Sequence, residues 1–205
     1  MNKGILVVIS GPSGSGKGTV VKRMKELRED IGVSVSATTR SPREGEVHGR
    51  EYYFITHADF EEKLAQGEIL EHTVYLGNYY GTPKSEVDRV VSAGNDLILE
   101  IEVEGAAQIK KLYPDAVTIM LIPPTLEELR ARLEGRGSED QAAVEKRLCR
   151  ALEEIKLAGE YDFVVVNENG KIDECASKIL EIVDAERSRS SRMTETINAF
   201  CLSDN

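Results

Sequence analysis

A chain of 205 residues, 40% hydrophobic and 30% charged, is long enough for one domain that buries roughly 70% of its unfolded surface. Its 26 basic and 36 acidic side chains leave a formal charge of −10, the opposite of the balance that wraps long nucleic acid, and no apolar run approaches the about 20 residues of a membrane span. A single small phosphorylated ligand stays within reach, because a few arginines focused in a cleft dominate the local field whatever the total.

The elements follow in chain order. The apolar run Ile5 to Ser10 predicts a strand, and a helical pattern begins after Lys17. Between them stands Gly11-Pro12-Ser13-Gly14-Ser15-Gly16-Lys17-Gly18-Thr19. Glycines let successive backbone N–H groups converge on phosphate oxygens, the helix N-terminus adds its positive dipole end, and Lys17 can reach β- and γ-phosphates. The strict form of this loop has Ser or Thr directly after the lysine; here Gly18 intervenes and the hydroxyl is Thr19. Direct Mg²⁺ ligation from this loop is therefore not expected; the glycine-threonine ending resembles that of nucleotide kinases such as adenylate kinase, and this resemblance implies that water, which Mg²⁺ retains readily, carries much of the coordination to Thr19.

Residues 36–94 break the alternation of strand and helix. Short strand-like pieces (Tyr52 to Ile55, Ile69 to Tyr75) mix with a helix near Ala58 to Gln66 and another after Pro83, the pattern of a small inserted α/β lobe. Alternation resumes with a strand from Asp96 to Glu102 and a helix toward Lys111, then a strand from Val117 to Ile122 and a helix from Thr125. Residues 126–158 are helical, rich in arginine and glutamate, and interrupted at Gly135-Arg136-Gly137, where paired glycines permit hinge-like angles; this segment is expected to be a lid. A last strand, Asp162 to Val166, and a helix from Asp173 to Arg189 follow. The tail beyond Glu186 is expected to be a frayed helix end or a disordered segment. The fold class is thus α/β: a three-layer α/β/α core with a parallel sheet, from residues 1–35, 95–125 and 159–190, carrying the lobe at 36–94, the lid at 126–158 and a tail at 191–205. Cys149, Cys175 and Cys201 are odd in number, lack CxxC spacing, and with no export signal point to a reducing cytoplasm.

Candidate site residues concentrate in and around the lobe. Arg40 and Arg43 lie three residues apart in Ser36-Ala37-Thr38-Thr39-Arg40-Ser41-Pro42-Arg43-Glu44-Gly45-Glu46, followed by Tyr52, Glu71 and Gly77-Asn78-Tyr79-Tyr80-Gly81-Thr82. Arginine forks and tyrosine hydroxyls are groups that grip a phosphate monoester. Glu71 offers an acceptor-only carboxylate to a ligand with adjacent donors, with a solvated strand residue as the plain alternative. Glu100 and Glu102, two apart on an apolar strand, share a face near the carboxyl end where open sheets bind ligands. Glu100 fits a role toward Mg²⁺ and its waters, and a pair of sheet-edge acids is the alternative.

Taken together these motifs closely resemble the guanylate kinase family, over nearly the whole length: the glycine-lysine loop, Thr-Thr-Arg-Ser-Pro-Arg, Gly-Asn-Tyr-Tyr-Gly, Leu-Glu-Ile-Glu before Gly105, Pro123-Pro124 and Glu134-Gly135-Arg136-Gly137. The resemblance implies transfer of the terminal phosphoryl group of ATP to GMP or dGMP with Mg²⁺. It implies that residues Gly11 through Thr19 hold ATP, that Arg40, Arg43, Tyr52 and Tyr80 hold the GMP phosphate, and that Ser36, Glu71, Thr82 and Glu102 read guanine. Thr82 and Glu102 stand where members often carry Ser and Asp. By the same resemblance Arg132, Arg136 and Arg147 approach the transferring group, although Glu128 and Arg132 at i,i+4 also suit an ordinary surface pair. Asn167, past the last strand, suits either an adenine contact or a loop cap. Catalysis is thus expected from Lys17, Arg40, Arg136 and Arg147, with no nucleic-acid or membrane partner and with monomer and homodimer both open. The rival expectations are another nucleoside monophosphate kinase and a non-catalytic kinase-like binding module; such modules usually lack an intact loop of this kind. A GTPase switch fits poorly without an Asn-Lys-x-Asp motif.

Overall fold

The computed structural model describes residues 4–135 and 141–202. The first strand, β1 (Leu6–Ser10), runs into α1 (Lys17–Leu27), and β2 (Gly32–Val33) and β3 (Ala37–Thr38) follow. Next come β4 (Tyr53–Phe54), α2 (His57–Ala65), the hairpin of β5 (Ile69–Tyr75) and β6 (Asn78–Pro83), and α3 (Lys84–Ser92). The chain then forms β7 (Leu97–Glu100), α4 (Val103–Leu112), β8 (Val117–Ile122), α5 (Leu126–Glu134) and α6 (Gln141–Lys156). A 3₁₀ turn (Leu157–Glu160) leads to β9 (Phe163–Val166), α7 (Ile172–Arg187), a second 3₁₀ turn (Ser190–Arg192) and α8 (Thr194–Leu202).

Five strands form a parallel sheet in the order β2-β7-β1-β8-β9. Its central strand explains the layering. Side chains alternate across a strand, so Val7 and Ile9 pack with Val20 and Met24 of α1 and Ile179 and Val183 of α7. Leu6 and Val8 point the other way, onto Val87 of α3 and Ala106 and Ile109 of α4. Burial on both faces accounts for the uninterrupted apolar run. A separate sheet, β4-β3-β6-β5, comes from the inserted segment, and Phe60 of α2 stacks on Tyr79 with ring centroids 5.0 Å apart. Among the described residues no helix is long and apolar enough to cross a membrane.

Two expectations are corrected. The strand expected from Asp96 to Glu102 is shorter: β7 ends at Glu100, and Glu102 is the N-cap of α4. Glu100 and Glu102 therefore do not alternate along one strand. The tail after α7 folds into a turn and a helix instead of fraying, because buried Glu186 gathers Arg189 and Arg192, and Arg192 also donates to the Asp115 carbonyl. Gly135 closes α5 with right-handed angles, φ −65°; Arg136 and Gly137 lie outside the described residues.

At the amino end of the sheet Asp96 is buried, 2% exposed. One oxygen accepts the Ile5 amide at 2.9 Å, and the other pairs with Arg28 at 2.9 Å and with Arg187. One carboxylate thus ties the residue leading into β1 to the C-cap of α1 and to α7. Removing one partner from a buried ion cluster leaves uncompensated charge and an unsatisfied amide. Asp96→Ala is expected to lower the unfolding free energy in urea by about 3–5 kcal/mol, whereas a loss under about 1 kcal/mol would show the cluster to be solvated.

Candidate active site

At the carboxyl end of β1 the backbone turns without room for side chains. Gly11 has φ +149°, and a Cβ there would lie 2.1 Å from the Leu121 carbonyl oxygen. Gly16 is the N-cap of α1 with left-handed angles, and a Cβ would meet the Asn167 amide nitrogen at 2.5 Å. No side chain caps α1 and its first turn holds no acid. Its leading N–H groups and dipole end are thereby left for an anion. Lys17 Nζ donates to the Gly11 carbonyl at 2.6 Å, keeping the ammonium over the loop it would serve.

Three side chains brace this loop from later elements. Asn167 donates to the Ser15 carbonyl at 2.9 Å. Arg132 of α5 donates to the Asn167 carbonyl at 2.8 Å and the Ser15 carbonyl at 3.4 Å, while its Nε pairs with Glu128 at 2.9 Å. The i,i+4 pair therefore exists and coexists with the loop contact. Arg147 of α6 donates to Ser13 Oγ at 2.6 Å. The structure brings Ser13, Ser15, Lys17, Arg132, Arg147 and Asn167 together; Arg136 lies outside the described residues.

Behind the loop, β7 and α4 supply acids. Gly18 faces Glu100, whose Oε1 would be 3.3 Å from a Cβ placed on Gly18, and Thr19 is exposed on the first turn of α1. Glu100 is open to solvent at its surface, yet burial of its surroundings raises the carboxyl above its ordinary value, with Lys17 opposing the shift. Glu102 Oε1 stands 4.0 Å from Lys17 Nζ. Among the described residues no three His, Cys, Asp or Glu side chains cluster as a metal cage. That donor set suits a divalent ion held chiefly by water and phosphate oxygens.

The lobe forms the other side. Arg40 forks onto Glu46, Nη1 at 2.9 Å and Nη2 at 3.0 Å, and lies 5.5 Å from the Tyr52 ring centroid and 5.7 Å from that of Phe54. Glu46 also takes the Arg43 amide at 2.7 Å, and the Arg40 hydrogen bond holds its carboxyl below the usual range. Tyr52 and Tyr80 meet edge to face at 5.9 Å. Arg40, Tyr52 and Tyr80 are thus one cluster, with the Arg43 side chain exposed beside it. Ser36 precedes β3, its carbonyl accepting the Tyr53 amide at 2.8 Å.

Glu71 of β5 is 3% exposed, so it is no solvated strand residue. Its Oε1 accepts from Thr82 Oγ1 at 2.7 Å. Burial pushes its carboxyl up to about 7, against the Thr82 hydrogen bonds, with Glu102 adding repulsion. Glu102 therefore senses both Lys17 and Glu71, which places the β7–α4 turn between the two halves of the site. Glu46 is not among the site residues expected from the sequence. The only signal for Glu46 was an acid six residues after an arginine in a Pro/Gly-punctuated segment.

The Guanylate kinase family model matches residues 3–186. The chain is 48% identical to a guanylate kinase of Lactococcus lactis subsp. lactis over 94% of its own length and 93% of the relative's, and 46% identical to one from Clostridioides difficile over 96% and 95%. It superposes on the crystal structure of guanylate kinase from Anaplasma phagocytophilum with TM-score 0.75 and 34% identity, covering 94% of this chain and 90% of that one. A shikimate kinase from Acinetobacter baumannii, at 15% identity and TM-score 0.50, shares the fold alone. A family match over most of the chain, together with relatives nearly half identical over almost its whole length, shows that the protein belongs to the guanylate kinase family.

Proposed function

We propose that this enzyme phosphorylates GMP to GDP with ATP by seating the two nucleotides on opposite sides of the β7–α4 turn. The observation that carries this reading is Glu71, a carboxylate 3% exposed and fixed by Thr82 in the lobe that also holds the Arg40, Tyr52 and Tyr80 cluster. A buried acceptor-only group requires donors. Guanine supplies two side by side, and adenine has no N1–H to offer. Ser36, Thr82 and Glu102 complete the base pocket, and Arg40, Arg43, Tyr52 and Tyr80 take the phosphate of GMP or dGMP.

The donor ATP lies on residues Gly11 to Thr19, with Lys17 on its outer phosphates and Arg132 and Asn167 shaping the loop. Glu100 and Thr19 would hold Mg²⁺ through its waters, where it would neutralise charge on the phosphates. The attacking oxygen belongs to the GMP phosphate, whose second pKa near 6 leaves it largely deprotonated at neutral pH, so no side chain need act as general base. The protein's task is alignment and charge neutralisation. Arg147, already on the loop at Ser13, and Arg136 serve the transferring group, with residues 126–158 acting as a lid. The enzyme works in the cytoplasm on free nucleotides, as a monomer or homodimer and without a nucleic-acid partner.

Lys17→Ala is expected to cut kcat by about 10³-fold or more with an unchanged circular dichroism spectrum; turnover within tenfold of the parent would remove Lys17 from the mechanism. Glu71→Gln should raise KM for GMP about 100-fold and leave KM for ATP unchanged; an equal loss on both sides would contradict base recognition. In the parent enzyme KM for GMP should climb as pH falls through about 7, the value to which Glu71 is pushed, and the variant should lack that step while keeping the one near 6 that belongs to GMP. The same carboxyl bears on stability. Its folded value of about 7 exceeds the ordinary 4.5, so the folded state binds more protons between these values and Glu71's contribution, complete below about 4.5, is lost as pH rises through 7. Nucleotide-free Glu71→Gln should therefore gain up to about 3 kcal/mol over the parent at pH 8 relative to pH 4.5, and a pH-independent difference in denaturant titrations would contradict this.

A further inference from the structure

Gly105 occupies the first turn of α4 (Val103–Leu112), and its backbone gives no reason for glycine. It is absent from the residues with positive φ, and alanine is ordinarily the better residue inside a helix. The reason lies outside the helix. A Cβ on Gly105 would fall 2.3 Å from Glu71 Oε2, 3.0 Å from its Cδ and 3.4 Å from its Cγ. The carboxylate of Glu71 rests in the space where a side chain would begin.

That carboxylate is tethered at its other end. Its other oxygen is held by Thr82 at 2.7 Å, and the strand that carries it is pressed against β6: a Cβ on Gly81 would lie 2.6 Å from the Glu71 carbonyl oxygen and 2.9 Å from Phe60 Cζ. Thr82 and Gly105 together form a seat for the side chain, and Gly81 fixes the strand that carries it. We propose that Gly105 is a positioning residue for guanine recognition, keeping the space over the start of α4 clear so that Glu71 can present Oε2 to the base. The inference rests on the base-reading role of Glu71 and adds the reason the carboxylate holds one position.

A methyl group on Gly105 would drive Oε2 away by roughly 1 Å to reach ordinary contact distance, and displacements of that size cost roughly 10²-fold where alignment matters. Gly105→Ala is therefore expected to lower kcat/KM for GMP by about 10- to 100-fold, with KM for ATP and the melting temperature held or the latter raised. Combining it with Glu71→Ala separates this effect from general damage, since removing the carboxylate removes the clash. In the Glu71→Ala background, Gly105→Ala should cost nothing further. Parent-like GMP kinetics for Gly105→Ala, equal losses toward GMP and ATP, or a full additional loss in the Glu71→Ala background would each overturn the inference while leaving Glu71's role standing. Glu71→Ala with parent-like kcat/KM for GMP would instead overturn both.

Discussion

A strand that turns directly into an uncapped helix leaves N–H groups without partners, and the carboxyl edge of the main sheet is organised around that deficit. Side chains are excluded from the turn: Gly11 lies against the Leu121 carbonyl and Gly16 against Asn167. No side chain caps α1, and the Ser15 carbonyl is engaged by Asn167 and Arg132. Lys17 bends back onto Gly11 and Arg147 reaches in to Ser13. The outcome is a loop of backbone N–H groups with Lys17 and Arg147 beside it, in a protein of net charge −10; local cations of this kind are how a small anion can be drawn to an acidic surface.

The facing lobe solves the converse problem. Glu71 is an acid deprived of water, and burial raises its carboxyl to about 7. Such a group is a liability to the empty protein and, in the proposed base-reading role, would be a filter in the loaded one, because a ligand lacking paired donors would leave it unsatisfied. Stability cost and selectivity would then have one origin. Arg40 is treated differently: Glu46 and the Tyr52 and Phe54 rings hold it in place, so in the proposed role less ordering cost would be incurred on binding, with Glu46 giving up its hold on the fork.

Much of the parallel core could be read from the chain because burial on both faces writes apolar runs such as Leu6 to Ser10 and Val117 to Ile122 directly into sequence. The phosphate loop was equally plain, since glycine spacing and lysine are themselves the chemistry. What escaped depended on tertiary partners. The end of β7 at Glu100 is decided by Glu102 becoming a helix cap, and the folding of the tail by Glu186, buried from outside its own local pattern. Burial of Glu71 could not be told from a solvated alternation, because the atoms that cover it come from β6 and α4. Gly105 was invisible for the same reason: inside a helical pattern its value lies wholly in what another strand places against it.

Two anions held in line, one selected by its base, is the central physical idea, and release of ADP measures it most directly. With purified protein, ATP and magnesium, and with GMP, AMP, UMP and CMP supplied separately, ADP should appear rapidly with GMP and only at background with the other three. Equal rates with AMP, or ATP consumption indifferent to any monophosphate, would contradict the account.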